Sequence, residues 1–154
     1  MTGTLRSLEL AVEVQTRQRD ALVGQLAAAR SGLDAARQQH RQLDQYAGDT
    51  RGAWARSGAM HGAERLQHQA GFVHKLEAAI TFQQQVIERH QASVDGLAAD
   101  LVRAGQRLAA LQAVVAQEVT RHQKLLDRRA QRQADELAAI RHVHQQKDAP
   151  GIGA

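Results

Sequence analysis

The sequence contains no cysteine. That excludes disulfides and thiolate zinc sites, and it is compatible with a reducing compartment. Aromatic residues are nearly as scarce, only 3% of 154 residues: Tyr46, Trp54, Phe72 and Phe82. A globular core takes much of its buried area from large rings and branched side chains, so this chain must bury itself differently. Proline occurs once, at Pro150, so no earlier position breaks a helix by lacking an N–H. No stretch approaches the ~20 consecutive apolar residues of a membrane span. Near the N-terminus, Leu5 to Val14 is interrupted by Arg6, Ser7, Glu9 and Glu13, so no secretory apolar core is expected there. The formal charge is only +4, because acidic residues are interspersed among the basic ones.

What remains is mainly Ala, Leu and Val, with Gln and Arg between them. That mixture suits long helices sharing a narrow seam. Along the first part of the chain, Leu5, Leu8, Val12, Gln15, Arg19, Leu22, Leu26, Ala29, Leu33, Ala36, His40, Leu43 and Ala47 follow one another at steps of three and four. A mean step of 3.5 keeps one seam facing a partner helix. Thr2 or Thr4 offers a cap at the start. Gln15, Arg19 and His40 should weaken the seam locally. Gly48, Gly52, Gly58 and Gly62 then fall close together around Ser57. Each glycine costs about 1 kcal/mol against alanine inside a helix, so the cluster predicts a turn near residues 57–62.

A second repeat follows. Leu66, Val73, Ile80, Ile87, Val94, Leu101, Leu108 and Val115 recur every seven residues, and Leu76, Leu97, Ala104 and Leu111 fill most alternate positions. Gln69, Gln83 and His90 are polar exceptions. After Val115 the phase slips to Val119, His122, Leu126, Ala130, Gln133, Leu137 and Ile140, a stutter that locally unwinds a supercoil. Docking the repeats antiparallel about the turn pairs Leu43 with Leu76, Ala47 with Val73, Leu33 with Ile87, Leu26 with Val94, Leu22 with Leu97 and Leu8 with Leu111. Gln15 then faces Ala104, Gln83 faces Ala36 and His90 faces Ala29. A slip of one heptad also aligns the seams, but this register places the bend in the glycine cluster.

The expected fold is therefore all-α: two long helices forming an antiparallel coiled-coil hairpin, with the second helix overhanging. One domain is expected over residues 1–146, with helix one at about 4–56, the turn at 57–62 and helix two at about 63–146. Residues 147–154, with Pro150, Gly151 and Gly153, should form a disordered tail. Helix one runs out at about Leu5, opposite Val115, so roughly 45 Å of helix two should project alone at ~1.5 Å per residue.

Eight histidines invite a metal reading, but paired helical ligands need a spacing of three or four. None of His40, His61, His68, His74, His90, His122, His142 and His144 has such a partner. His40 with Asp44, Glu64 with His68 and Glu118 with His122 read as ordinary helix-face pairs. No glycine-rich phosphate loop or nucleophile constellation occurs, and a two-helix hairpin offers almost no water-excluding pocket. No enzyme activity, metal or cofactor is expected. Arg121, Lys124, Arg128, Arg129 and Arg132 form a basic run softened by Asp127, Asp135 and Glu136. It lacks the aromatics of a nucleic-acid surface, which leaves a solvated face or docking on an acidic protein. The narrow seam also lacks the broad apolar face of a membrane-surface helix. Tyr46 and Phe72 fall at nearly the same level of opposite helices, one residue off the seam positions Ala47 and Val73. They read either as a cap on the core next to the turn or, since the offset turns them partly outward, as a candidate binding hot spot beside Leu43, Leu76 and Ala79.

Three segments around these positions resemble the FliJ family of flagellar export proteins. Gln39-His40-Arg41-Gln42-Leu43-Asp44-Gln45-Tyr46 is similar to the family's Gln, Leu, Tyr spacing late in helix one. Phe72-Val73-His74-Lys75-Leu76-Glu77-Ala78-Ala79-Ile80 is similar to its Phe, Leu, Ala segment in helix two. Arg128-Arg129-Ala130-Gln131-Arg132-Gln133-Ala134-Asp135-Glu136 resembles its basic stretch followed by an Asp-Glu pair. Thr50 departs from a second tyrosine common in the family, and Gln83 from a histidine. The resemblance implies a non-enzymatic stalk like that of rotary ATPases, linking a hexameric export ATPase to the membrane-embedded export gate and handling export chaperones. It implies gate contacts at Gln39, Leu43, Tyr46, Phe72, Leu76 and Ala79, and ATPase contacts at Arg128, Arg129 and Arg132. It further implies a cytoplasmic place at the inner membrane, reached only through the export apparatus. A virulence type III secretion homologue is the nearest alternative. A homodimeric coiled-coil spacer is another, since Val73, Ile80, Ile87 and Val94 with Leu76 and Leu97 would also suit a parallel dimer.

Overall fold

The structure, a computed structural model, describes residues 2–57 and 62–148. Two helices account for almost all of them: α1, Thr2–Arg56, and α2, Ala63–Asp148. Among the described residues there is no strand. The helices are long because nothing stops them. Gly48 and Gly52 lie inside α1, where their propensity cost is spread over a long hydrogen-bonded run. Thr4 is an interior residue of α1 and so does not cap it. The end of α1 is closed by Ser57, whose N–H donates to Ala53 O at 3.1 Å and whose hydroxyl donates to Trp54 O at 3.0 Å. Arg56 in the last turn of α1 and Glu64 in the first turn of α2 each oppose the local helix dipole. Gly62 O accepts from Arg65 N–H at 3.0 Å, which opens α2. Of the expected turn, residues 58–61 lie outside the described residues, as do 149–154 of the expected tail. Lys147 and Asp148 belong to the last turn of α2. The helix thus runs two residues past its expected end at 146, since propagation adds one bond per residue.

Contacts divide the chain into two units. One is Arg17–Gly105; the other joins α1 through Thr16 to α2 from Gln106 onward. In the first unit the helices run antiparallel, since rising numbers in α1 meet falling numbers in α2. Arg37 donates to Gln91 at 3.0 Å, Gln83 donates to Gln39 at 3.4 Å, and Arg51 pairs with Glu77 at 3.1 Å. Leu26, Leu33 and Val94 form the core, with Ala29, Ile87, Leu97, Ala98 and Leu101 packed against them. These are the layers that the two apolar repeats predict. Every α1 seam position from Leu5 to Ala47 is buried or half-buried. On α2 the seam from Leu66 to Val115 is buried or half-buried except at Leu66 itself, which is 58% exposed. It lies in the first turn of α2, where α1 can offer only its last turn as cover.

Polar seam residues are accommodated individually. Gln83 is buried, and its Nε2 donates to Ala36 O at 3.0 Å as well as to Gln39 Oε1. His90 lies against Gly32, where an added Cβ would stand 3.2 Å from its ring. His40 puts Nδ1 3.7 Å from Asp44, while its buried Nε2 finds no hydrogen-bond partner among the described residues. Gln15 Oε1 is buried in the same state. An unsatisfied buried polar atom costs about 1–3 kcal/mol, so these two positions weaken the seam as their types predict.

In the second unit, Leu5, Leu8, Ala11 and Val12 of α1 are half-buried, as are Leu111, Val115, Glu118 and His122 of α2. Every described residue from 123 to 148 is exposed. The overhang therefore begins after His122, later than the expected Val115. α1 starts at Thr2 and so offers additional cover before Leu5.

Candidate protein-binding surface

Outward-facing rings are expensive to leave in water, so their placement marks where a partner could bury them. On α1, residues four apart share a face, which aligns Tyr46, Thr50 and Trp54. Phe72 of α2 meets the two rings of this row edge-on. Its centroid lies 6.2 Å from Tyr46 with planes at 73°, and 5.8 Å from Trp54 with planes at 70°. Both are T-shaped contacts, in which the positive edge of one ring meets the negative face of the other. Tyr46 is 54% exposed and Phe72 38%, so the cluster braces itself from the side and still faces solvent.

The structure brings the six residues of the expected gate-binding surface into one unit. Leu43 and Leu76 are half-buried, while Gln39 and Ala79 are exposed. Gln39 is fixed at its Oε1 by Gln83, which leaves its amide N–H groups to point elsewhere. The ion pair of Arg51 with Glu77 joins the helices beside the rings. Trp54 was not singled out by the sequence reading. Its signal was present: it stands two turns beyond Tyr46 on the same helix face.

Arg128, Arg129 and Arg132 lie in the other unit, on the wholly exposed length of α2. Beside them, Leu126 is 49% exposed, Leu137 57% and Ile140 54%. The apolar seam thus continues past the point where α1 stops covering it. At the start of this length Arg121 pairs with Glu118 at 2.7 Å. The Arg121 hydrogen bond holds the Glu118 carboxyl below its ordinary pKa, and the same bond raises the guanidinium's. Glu118 thus takes Arg121 as its hydrogen-bonded partner, one residue short of the expected His122.

Among the described residues, no three His, Cys, Asp or Glu side chains gather into a metal-binding group, and no helix is long and apolar enough to cross a membrane. Two helices packed along one narrow seam define an all-α coiled-coil hairpin. The chain belongs to the flagellar FliJ protein family, whose model matches residues 5–147, nearly the whole chain. Membership ties it to flagellar and related type III protein export, in a family without catalytic function. Neither the curated proteins nor the solved structures provide a significant match.

Proposed function

We propose that this chain is a non-enzymatic stalk and adaptor of the flagellar export apparatus, which links the hexameric export ATPase to the export gate membrane protein and handles export chaperones. In this reading it works as one domain over residues 1–146, in the cytoplasm at the inner membrane face, and meets the membrane only through the gate. The observation that carries the proposal is the family match over residues 5–147, together with two exposed surfaces of different chemistry. Gln39, Leu43, Tyr46, Phe72, Leu76 and Ala79 supply the gate surface, where exposed rings on a braced backbone make good anchors. Arg128, Arg129 and Arg132, beside the uncovered Leu126, Leu137 and Ile140, supply the ATPase surface. Arginine suits that role because its planar fork matches carboxylates in two hydrogen bonds.

The test measures binding of two variant sets to both partners. Tyr46→Ala and Phe72→Ala should each cost ~1–3 kcal/mol of gate binding. Arg129→Glu combined with Arg132→Glu should weaken binding to the ATPase and leave gate binding largely intact. Circular dichroism should show unchanged helicity, since none of these changes touches a seam leucine or adds a helix breaker. If both sets lose the same partner equally while remaining folded, the two-surface adaptor is wrong.

A further inference from the structure

The ring cluster does not stop at Phe72. Trp54 contacts Phe72 from the side away from Tyr46 in sequence, 5.8 Å between centroids, so the aromatic surface extends toward the end of α1. There Trp54 and Ser57 form one wall of an open groove, and Arg65, His68 and Gln69 of α2 form the other. The lining has a distinct chemistry. It offers one broad apolar face, the indole, with the Ser57 hydroxyl beside it and amide, imidazole and guanidinium groups on the α2 side. Two lining residues are basic and none is acidic; Glu64, next in sequence to Arg65, does not line the groove. A guanidinium carries five N–H donors, so Arg65 can serve a carboxylate while keeping another contact.

We propose that this groove is a second subsite of the gate-binding surface and receives an acidic side chain of the gate protein. The methylene stem of a Glu or Asp lies on the Trp54 ring, and its carboxylate faces Arg65, His68 and Gln69. Charge favours that occupant over an apolar one: the lining carries two basic groups and no acidic one, and a charged acceptor makes the stronger bonds to such donors. Continuity with the Tyr46–Phe72 pair makes the partner the same molecule. The inference therefore rests on the gate reading made above.

Trp54 is the chain's only tryptophan, which permits a direct test. The full chain, grown with 5-fluorotryptophan, gives one fluorine resonance, and the probe is the export gate membrane protein in nanodiscs. The resonance should shift or broaden as the gate is added. Trp54→Ala should weaken gate binding about tenfold, and Trp54→Phe should restore most of it, because the ring face is what the stem needs. Arg65→Glu should weaken binding about tenfold at low salt, with the deficit shrinking as salt screens it. Helicity of each variant is checked by circular dichroism. If Tyr46→Ala weakens binding while the Trp54 resonance stays still and Trp54→Ala binds normally, the subsite is overturned and the gate reading stands. A moving resonance with an unaffected Arg65→Glu overturns the acidic occupant. A chain that fails to bind the gate at all overturns both.

Discussion

At the scale of single residues, the seam histidine His90 packs against Gly32 of the facing helix. His90 is too large for a standard layer, and Gly32 gives it room: an added Cβ would sit 3.2 Å from its Cε1 and 3.3 Å from its Nδ1. At Gly24, Gly71 and Gly96 an added Cβ would meet nothing within 4 Å. The four positions are all helical, so alanine should gain the same propensity at each. Gly71→Ala and Gly96→Ala should raise unfolding free energy by ~0.5–1 kcal/mol each in urea titrations. Gly32→Ala should gain less, because the methyl presses on the imidazole, and the missing increment should return when His90 is also made alanine. Equal gains at all three glycines would show that the close approach costs nothing. The sequence named His90 as a seam exception and could not show its accommodation. The fit depends on Gly32, a residue off the seam whose significance appears only once the helices are docked. Gln83 is similar. Its place opposite Ala36 was readable, but its bonds to Ala36 O and Gln39 Oε1 are matters of side-chain reach.

At the scale of the element, the helices were legible because hydrophobic spacing is a property of the chain itself. The seam from Leu5 to Ala47 is covered throughout, and Leu108, Leu111 and Val115 remain at least half-buried on α2. What changes along α2 is its environment. Beyond His122 the helix persists with every residue exposed, so it has lost the packing that stabilises most protein helices. Hydrogen–deuterium exchange should reveal this. Amides of residues 126–146 should exchange on the order of a hundredfold faster than those flanking Leu33 and Val94, since local opening there exposes no core. Comparable protection in both regions would mean that the exposed length is covered in solution, most simply by a second chain.

At the scale of the whole molecule, oligomeric state follows from what the seam already satisfies. Within Arg17–Gly105 each helix spends its apolar face on the other, leaving little to drive pairing with a second copy. Light scattering after gel filtration should give about 16.8 kDa, the mass of one chain. A parallel dimer stable across dilution would overturn this and restore the spacer alternative. The modest charge of +4 gives no strong self-repulsion and no general affinity for polyanions, so partner choice falls to local surfaces.

The sequence by itself determined the class and the layering. Two heptad repeats of matching phase separated by glycines leave an antiparallel hairpin as a direct solution, and the pairing of Leu26 with Val94 and Leu33 with Ile87 follows from counting. It also placed Tyr46 and Phe72 one residue off the seam, hence partly outward. Tertiary structure decided what counting cannot reach. It set the start of the overhang after His122, because that depends on how far α1 extends. It left Leu66 exposed, because burial needs a neighbour as well as a pattern. It joined Trp54 to Phe72 and opened the groove beside them, because a ring's contacts depend on where the other helix stands. Periodicity fixes which face turns inward; the depth of cover and the company each outward side chain keeps are set by the distance and ending of its partner helix.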